Sequence, residues 1–183
     1  MQNTFNEELS PSELNRFQRH ISLPEIGIEG QKRLKSASVI CIGSGGIGSP
    51  LLLYLAATRI GRIGIVDFDV VEESNLQRQI IHGSSSIGTP KTTSAKERIL
   101  EINPNCKVEL HQTKLTACNA IQILNEYDII CDASDNFPTR YLINDASEIL
   151  EKPYVYGAVQ RYEGQVSVFN LKSVSDSVFF NEL

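Results

Sequence analysis

The chain has 183 residues, of which 41% are hydrophobic and 21% charged, and a formal net charge of −5. That length suffices for one domain burying roughly 70% of its unfolded surface. The acidic balance, with no Lys/Arg block to offset it, argues against a nucleic-acid partner, and no run approaches the ~18 apolar residues that span a bilayer.

The opening "MQNTFNEELSPSEL" is polar and acidic and has no apolar core of a secretory leader. Cysteines 41, 106, 118 and 131 form no C-x-x-C pair. Cys41 and Cys131 fall in apolar runs that read as buried strands, which together with the opening fits a reducing cytoplasm.

In chain order, "SPSE" at 10–13 is a helix start: Ser10 caps, Pro11 suits the first helical position and Glu13 completes a capping box. The helix carries "ELNRFQRHI", with Leu14, Phe17 and Ile21 on one face and Arg16 and Arg19 flanking it. A loop with Pro24, Gly27 and Gly30 leads to a second short helix, "GQKRLKSA", whose basic run at 31–35 reads as a solvated face. From residue 37 strands and helices alternate. "ASVICIG" is a first strand, "GIGSPLLLYLAATRI" a helix, "RIGIVDFD" a second strand, and "TPKTTSAKERILEIN" a helix with Pro90 in its first turn. "CKVELHQT" is a third strand, "ACNAIQILNEY" a short helix, "DIICDASD" a fourth strand, "FPTRYLINDASEIL" a helix and "PYVYGAV" a fifth strand. "GQVSVFNL" is a sixth strand, antiparallel to the fifth across a short turn around Gly164. "KSVSDSVFFNEL" has no clear period.

This alternation implies an α/β fold of the Rossmann-like, doubly wound type. It has a mostly parallel sheet, helices on both faces, and an N-terminal helical extension (1–36) ahead of the main domain (37–183). Its ligands bind beyond the carboxyl ends of the strands, at the switch point.

The chemistry concentrates there. "CIGSGGIGSP" carries G-x-G-G-x-G: Gly43 permits the tight turn, Gly45 or Gly46 lets phosphate oxygens approach backbone N–H groups, and Gly48 allows close helix–strand packing. Asp67, 24 residues beyond Gly43, ends the second strand where it can accept hydrogen bonds from ribose hydroxyls; Asp69 is a second acid at that strand end, and one of the two faces solvent or binds a metal. On this loop alone NAD and ATP are both open. Asn75, Arg78 and Gln79 in "DFDVVEESNLQRQ" are too polar for a core face. Arg78 suits phosphate oxygens, or else pairs with Glu72 or Glu73. Lys91 stands at a helix N-terminus, which prefers anions, so it either meets a phosphate or is simply exposed. In "CDASDNFPTR", Asp132 ends the fourth strand, and Asp135 and Asn136 lie on the same carboxyl edge. Asp135 there holds Mg²⁺ against polyphosphate or caps the following helix. Two cations and several acids around a phosphate loop suit a triphosphate better than a nicotinamide, and His20, His82 and His111 offer no catalytic dyad.

With these motifs in view, the chain resembles the MoeB/ThiF family, bacterial relatives of ubiquitin-activating enzymes. The resemblance rests on "RFQRHISLPEIGIEGQKRL", "GSGGIGSP", "VDFDVVEESNLQRQ", "GTPK", "EINP", "DASDNFPTRYLIND" and "GAVQRYEGQVSVF". Among subtypes it looks most like MoeB. The resemblance implies ATP-dependent adenylation of the C-terminal Gly-Gly carboxylate of a ubiquitin-like sulfur carrier of the MoaD or ThiS type. Diphosphate is released, in molybdenum cofactor or thiamine biosynthesis. It implies that Gly46 approaches the phosphates, Asp67 takes the ribose, and Asn75, Arg78 and Lys91 bind the triphosphate. Asp135 holds Mg²⁺ or positions the reacting groups, with Asn136 beside it on the nucleotide side. Arg19 matches an arginine lent to a neighbouring subunit's site, which implies a homodimer. The compartment becomes the cytoplasm, or a plastid stroma for an organellar protein. The stretch where family members carry zinc-binding C-x-x-C pairs reads "SDSVFFNEL", so no zinc is expected. No cysteine suits a thioester. The family runs well past this point, so its C-terminal part is expected to be missing, by excerpt or truncation. Two readings stand behind adenylation: an ATP-binding module without turnover, and, remotely, an NAD(P)-dependent oxidoreductase.

Overall fold

The architecture was obtained as a computed structural model that describes residues 8–171. The reading of "SDSVFFNEL" lies outside the described residues.

Helix α1 (Pro11–Arg16) starts as its capping box dictates: Glu13 N–H donates to Ser10 Oγ and Ser10 N–H to Glu13 Oε2. The single helix expected here is broken at Phe17, which leaves helical geometry and turns into the core beside His20, and α2 (Gln18–Ile21) follows. Leu14 is therefore exposed rather than sharing a buried face with Phe17. Helix α3 (Gly27–Ser36) is not the solvated face its basic run suggested. Gln31 is fully buried, donating to the Thr58 carbonyl and meeting His20 Nδ1 at 3.0 Å, because the helix lies against the rest of the domain.

The alternating units follow as read: β1 (Ser38–Ile42), α4 (Gly48–Ala57), β2 (Arg62–Val66), α5 (Lys91–Ile102), β3 (Lys107–His111), α6 (Ala120–Leu124), β4 (Ile129–Asp132), α7 (Phe137–Leu150), β5 (Tyr154–Gln160) and β6 (Glu163–Phe169). They form one sheet in the order β3-β2-β1-β4-β5-β6, parallel except for antiparallel β6. Helices α4 and α5 close one face over Leu52, Ala56, Ala95 and Ile99; α6 and α7 close the other over Leu124, Ile143 and Ala146. Continuous burial of β1 explains why "SVICI" reads as an unbroken apolar run. No helix among the described residues is long and apolar enough to cross a membrane.

Two boundaries differ from the sequence reading. Pro90 precedes α5 instead of occupying its first turn, held by a bridge to Val70. The β5–β6 turn is made by Arg161 and Tyr162, with Arg161 at φ +56°, while Gly164 is already paired with Val159 inside β6. Chain reversal after the fifth strand thus occurs without glycine.

Candidate functional site

The strand order reverses between β1 and β4, and a cleft of about 530 Å³ opens above the carboxyl ends of the parallel strands at that point. Its floor is the glycine loop. Gly43 has φ +94°, and a Cβ there would stand 2.8 Å from the Ala133 carbonyl oxygen; a Cβ on Gly48 would collide with the Gly43 carbonyl. Both glycines are therefore required by the turn itself, as their spacing implied. Gly45 and Gly46 face the cleft with room to spare: their nearest neighbours are the Gln79 amide and the aliphatic stem of Arg78.

Asp67 is buried and already engaged. Its Oδ2 accepts from Ser44 N–H (2.9 Å) and Ser44 Oγ (2.8 Å), and its Oδ1 from Asp69 N–H (3.0 Å). It shapes the glycine loop as well as lining the cleft. Lys91 is buried at the start of α5, with its ammonium 2.9 Å from Asp69 Oδ2, so the electrostatic conflict at that helix N-terminus is relieved by a carboxylate. Arg78 takes neither Glu72 nor Glu73: its Nη1 donates to the Ser74 carbonyl, and the exposed guanidinium forms no salt bridge among the described residues. The helix-capping task falls to Asn136, whose Oδ1 accepts from Thr139 N–H at 3.0 Å. Asp135 is left exposed on the cleft rim, with the Asn136 amide as its hydrogen-bond donor at 3.4 Å.

Of the residues singled out in the sequence, Gly43, Gly45, Gly46, Asp67, Arg78, Lys91, Asp135 and Asn136 line this one cleft. Gly48 lies just beneath it. Asn75 is buried with its Oδ1 accepting from Glu72 N–H, and shapes the short 3₁₀ turn that presents Arg78 rather than lining the cleft. Arg19 is exposed on α2 and stands apart from the cleft of its own chain.

The sequence reading assigned no role to several residues that line the cleft. Thr113, Lys114 and Leu115 wall it beyond β3, and Gln79, Ser134 and Arg140 contribute from the glycine-loop and β4 sides. The signal for the first three was available: every loop leaving the carboxyl end of a parallel strand borders the crevice. Gln79 Oε1, Ser134 Oγ and Arg140 Nε are buried without hydrogen-bond partners within the wall of the cleft. Among the described residues there is no cluster of three metal-ligating side chains. Cys41 and Cys131 are core residues in register on β1 and β4, and burial, with the Asp132 charge adding to it, pushes the Cys131 thiol up to about 12.

A glycine-rich strand-to-helix turn at the switch point of a doubly wound sheet, ringed by Arg78, Lys91 and Asp135, defines a class: α/β proteins built around an anion-binding crevice. Within it, the chain belongs to the ThiF family, whose pattern it matches over residues 17–181. It is 55% identical over 161 residues to a probable adenylyltransferase/sulfurtransferase MoeZ of Mycobacterium tuberculosis, covering 88% of this chain and 41% of the relative. A sulfur carrier protein adenylyltransferase of Thermus thermophilus is 50% identical over 158 residues, 86% of this chain and 58% of the relative. The chain thus spans less than two thirds of either relative. Among solved structures, Escherichia coli tRNA N6-threonylcarbamoyladenosine dehydratase, TcdA, in complex with ATP, superposes with a TM-score of 0.77 at 29% identity, covering 81% of this chain and 61% of that one.

Proposed function

We propose that this chain is the adenylating unit of an enzyme that transfers AMP from ATP to the C-terminal carboxylate of a ubiquitin-like sulfur carrier protein. Diphosphate is released and an acyl-adenylate is left on the carrier. The observation that carries this reading is the convergence of the open glycine loop, Arg78, Lys91 and Asp135 on one cleft. The naming of 50–55% identical relatives as adenylyltransferases, and the ATP complex of a structural neighbour, support it.

A carboxylate is already nucleophilic, so the reaction needs no general base; it needs in-line approach to the α-phosphate and neutralisation of charge. The N–H groups of Gly45 and Gly46 and the N-terminus of α4 receive phosphate oxygens. Arg78, free of any carboxylate, and Lys91, held in place by Asp69, supply the positive charge. Asp67 fixes the loop through Ser44 and retains acceptor capacity for a ribose hydroxyl. The donor set fits Mg²⁺ in its usual phosphate-bound form, which takes one or two carboxylates rather than a protein cage: Asp135, on the rim and unpaired with any cation, would hold it. The ion supplies charge neutralisation on the polyphosphate. Arg19, outside its own cleft, serves the cleft of a second copy in a homodimer.

The test is ATP–diphosphate exchange that depends on the carrier. Arg78→Ala and Asp135→Ala are each expected to lower it by about 10³-fold, on the scale of other charge-stabilising residues in phosphoryl transfer. Exchange at the wild-type rate in both variants sinks the residue assignment.

A further inference from the structure

We infer that Asp69 is the counter-ion that Lys91 exchanges for a polyphosphate. It is a positioning residue that sets how tightly the cleft holds ATP and how readily diphosphate leaves. This inference rests on the adenylation reading above and adds to it what limits the affinity of the same cleft for its nucleotide.

Lys91 and Asp69 line the cleft together, and Lys91 Nζ lies 2.9 Å from Asp69 Oδ2. The two ends of the pair differ in access: the Lys91 side chain is 8% exposed and that of Asp69 49%. No other carboxylate among the described residues pairs with Lys91. A buried ammonium is costly unless an anion faces it, and the chain supplies its own. Arg78, the other cation on this side, is exposed to water and forms no salt bridge among the described residues. The cleft therefore holds one cation that needs a carboxylate and one that does not.

The backbone fixes the pair independently of its side chains. Asp69 N–H donates to Asp67 Oδ1 at 3.0 Å, and the Asp69 carbonyl accepts from Lys91 N–H at 2.9 Å. One residue on, Val70 bridges Pro90, and Val71 N–H donates to the Thr89 carbonyl. This short antiparallel ladder places Lys91 at the start of α5 whatever side chain stands at position 69. The fold does not need the Asp69 carboxylate, so its role is electrostatic.

A phosphate oxygen bound to the Lys91 ammonium would stand about 3 Å from Nζ, and so within about 6 Å of Asp69 Oδ2. At that range one like charge at a partly exposed site opposes an anion by about tenfold in affinity. Asp69 thus lowers the affinity of the cleft for polyphosphate while keeping Lys91 charged and in place. The opposition grows with the charge of the ligand. It acts on ATP and on diphosphate, and least on AMP, which has no β- or γ-phosphate. Diphosphate then leaves readily, because Asp69 is at hand to take Lys91 back.

The test is calorimetric titration of the full chain with ATP, diphosphate and AMP, each with and without Mg²⁺. Asp69→Asn keeps an oxygen that accepts from Lys91 Nζ and removes the charge. It is expected to tighten ATP and diphosphate about tenfold and AMP less than about threefold. Tightening is a gain that a merely structural residue cannot give. Asp69→Glu restores the carboxylate and is expected to return ATP Kd to within about threefold of wild type. Asp69→Ala, which carries no amide, is expected to repeat the tightening should Asp69→Asn fold poorly. An ATP Kd that is unchanged or weaker in the neutral variants overturns the inference, as does equal tightening of AMP. Weakening seen only with Mg²⁺ overturns it too, by making Asp69 a metal ligand. Wild-type chain that binds no ATP sinks the adenylation reading and this inference with it. Wild-type chain that binds ATP, with no tightening in either neutral variant, sinks this inference alone.

Discussion

Four glycines within six residues serve two different ends. Gly43 and Gly48 are fixed by the fold, one by its positive φ and the Ala133 carbonyl, the other by the Gly43 carbonyl against which it packs. Gly45 and Gly46 carry no such constraint: a Cβ on Gly46 would touch only the Arg78 stem, at an ordinary 3.7 Å. Their smallness serves no packing contact and matters only when something approaches the backbone. Gly46→Ala is therefore expected to melt within a few degrees of wild type while losing at least about tenfold in ATP affinity. Gly48→Ala is expected to cost about 3 kcal/mol or more in stability, because backbone must move to admit the methyl group. Paired melting curves and ATP titrations decide this; a Gly46→Ala protein that binds ATP normally refutes the phosphate role of that position.

At the scale of elements, the parallel β–α alternation was legible because each strand is an apolar run and each helix has caps or a periodic face; "FPTRYLINDASEIL" is α7 residue for residue. The cleft was legible as far as its strand-end loops carry conspicuous glycine, acid or cation. Arg140 escaped because its place in the cleft wall is set by packing against the Tyr156 hydroxyl and the Ser134 carbonyl, which no local pattern announces. The N-terminal helices escaped for a similar reason, since a charged pattern reads as solvent-facing until its partners are known. Glu13 there accepts from Arg59 Nε and Lys35 Nζ, both at 3.1 Å, and so fastens α1 to α3 and to the end of α4. Burial alone would raise its pKa, but the Ser10 N–H, Lys35 and Arg59 outweigh it and bring it down to about 2. The unfolded chain, with Glu13 near 4.5, takes up the proton first. The clasp's contribution is thus full above pH 4.5 and is lost as pH falls toward 2. Glu13→Gln is expected to cost about 3 kcal/mol at pH 7, by removing the charge that faces Arg59 and Lys35, and distinctly less near pH 3. Urea unfolding of both proteins at the two pH values measures this, and an equal difference at each contradicts the assignment.

At the scale of the whole molecule, the same clasp bears on how two copies would share a reaction. Glu13, Gln31 and His20 tie α1–α3 to the main domain, so Arg19 on α2 is held at a fixed distance from its own cleft and not on a loop that could swing into it. In the proposed homodimer each complete site then combines Arg78, Lys91 and Asp135 of one copy with Arg19 of the other, a two-fold arrangement in which the two sites are equivalent. Such sharing has a signature that no change within one chain can imitate. Arg19→Ala and Arg78→Ala are each expected to be inactive alone, yet after subunit exchange half of the dimers are mixed. One of the two sites in each mixed dimer is intact, restoring about a quarter of wild-type exchange activity. Arg78→Ala mixed with Asp135→Ala is the control: both changes fall in the same cleft, every site keeps a defect, and no activity returns. Recovery in the first mixture and not in the second establishes sharing between copies. Failure of both, with subunit exchange verified, returns Arg19 to its own chain, and the rigid attachment of α2 would then have to give way during the reaction.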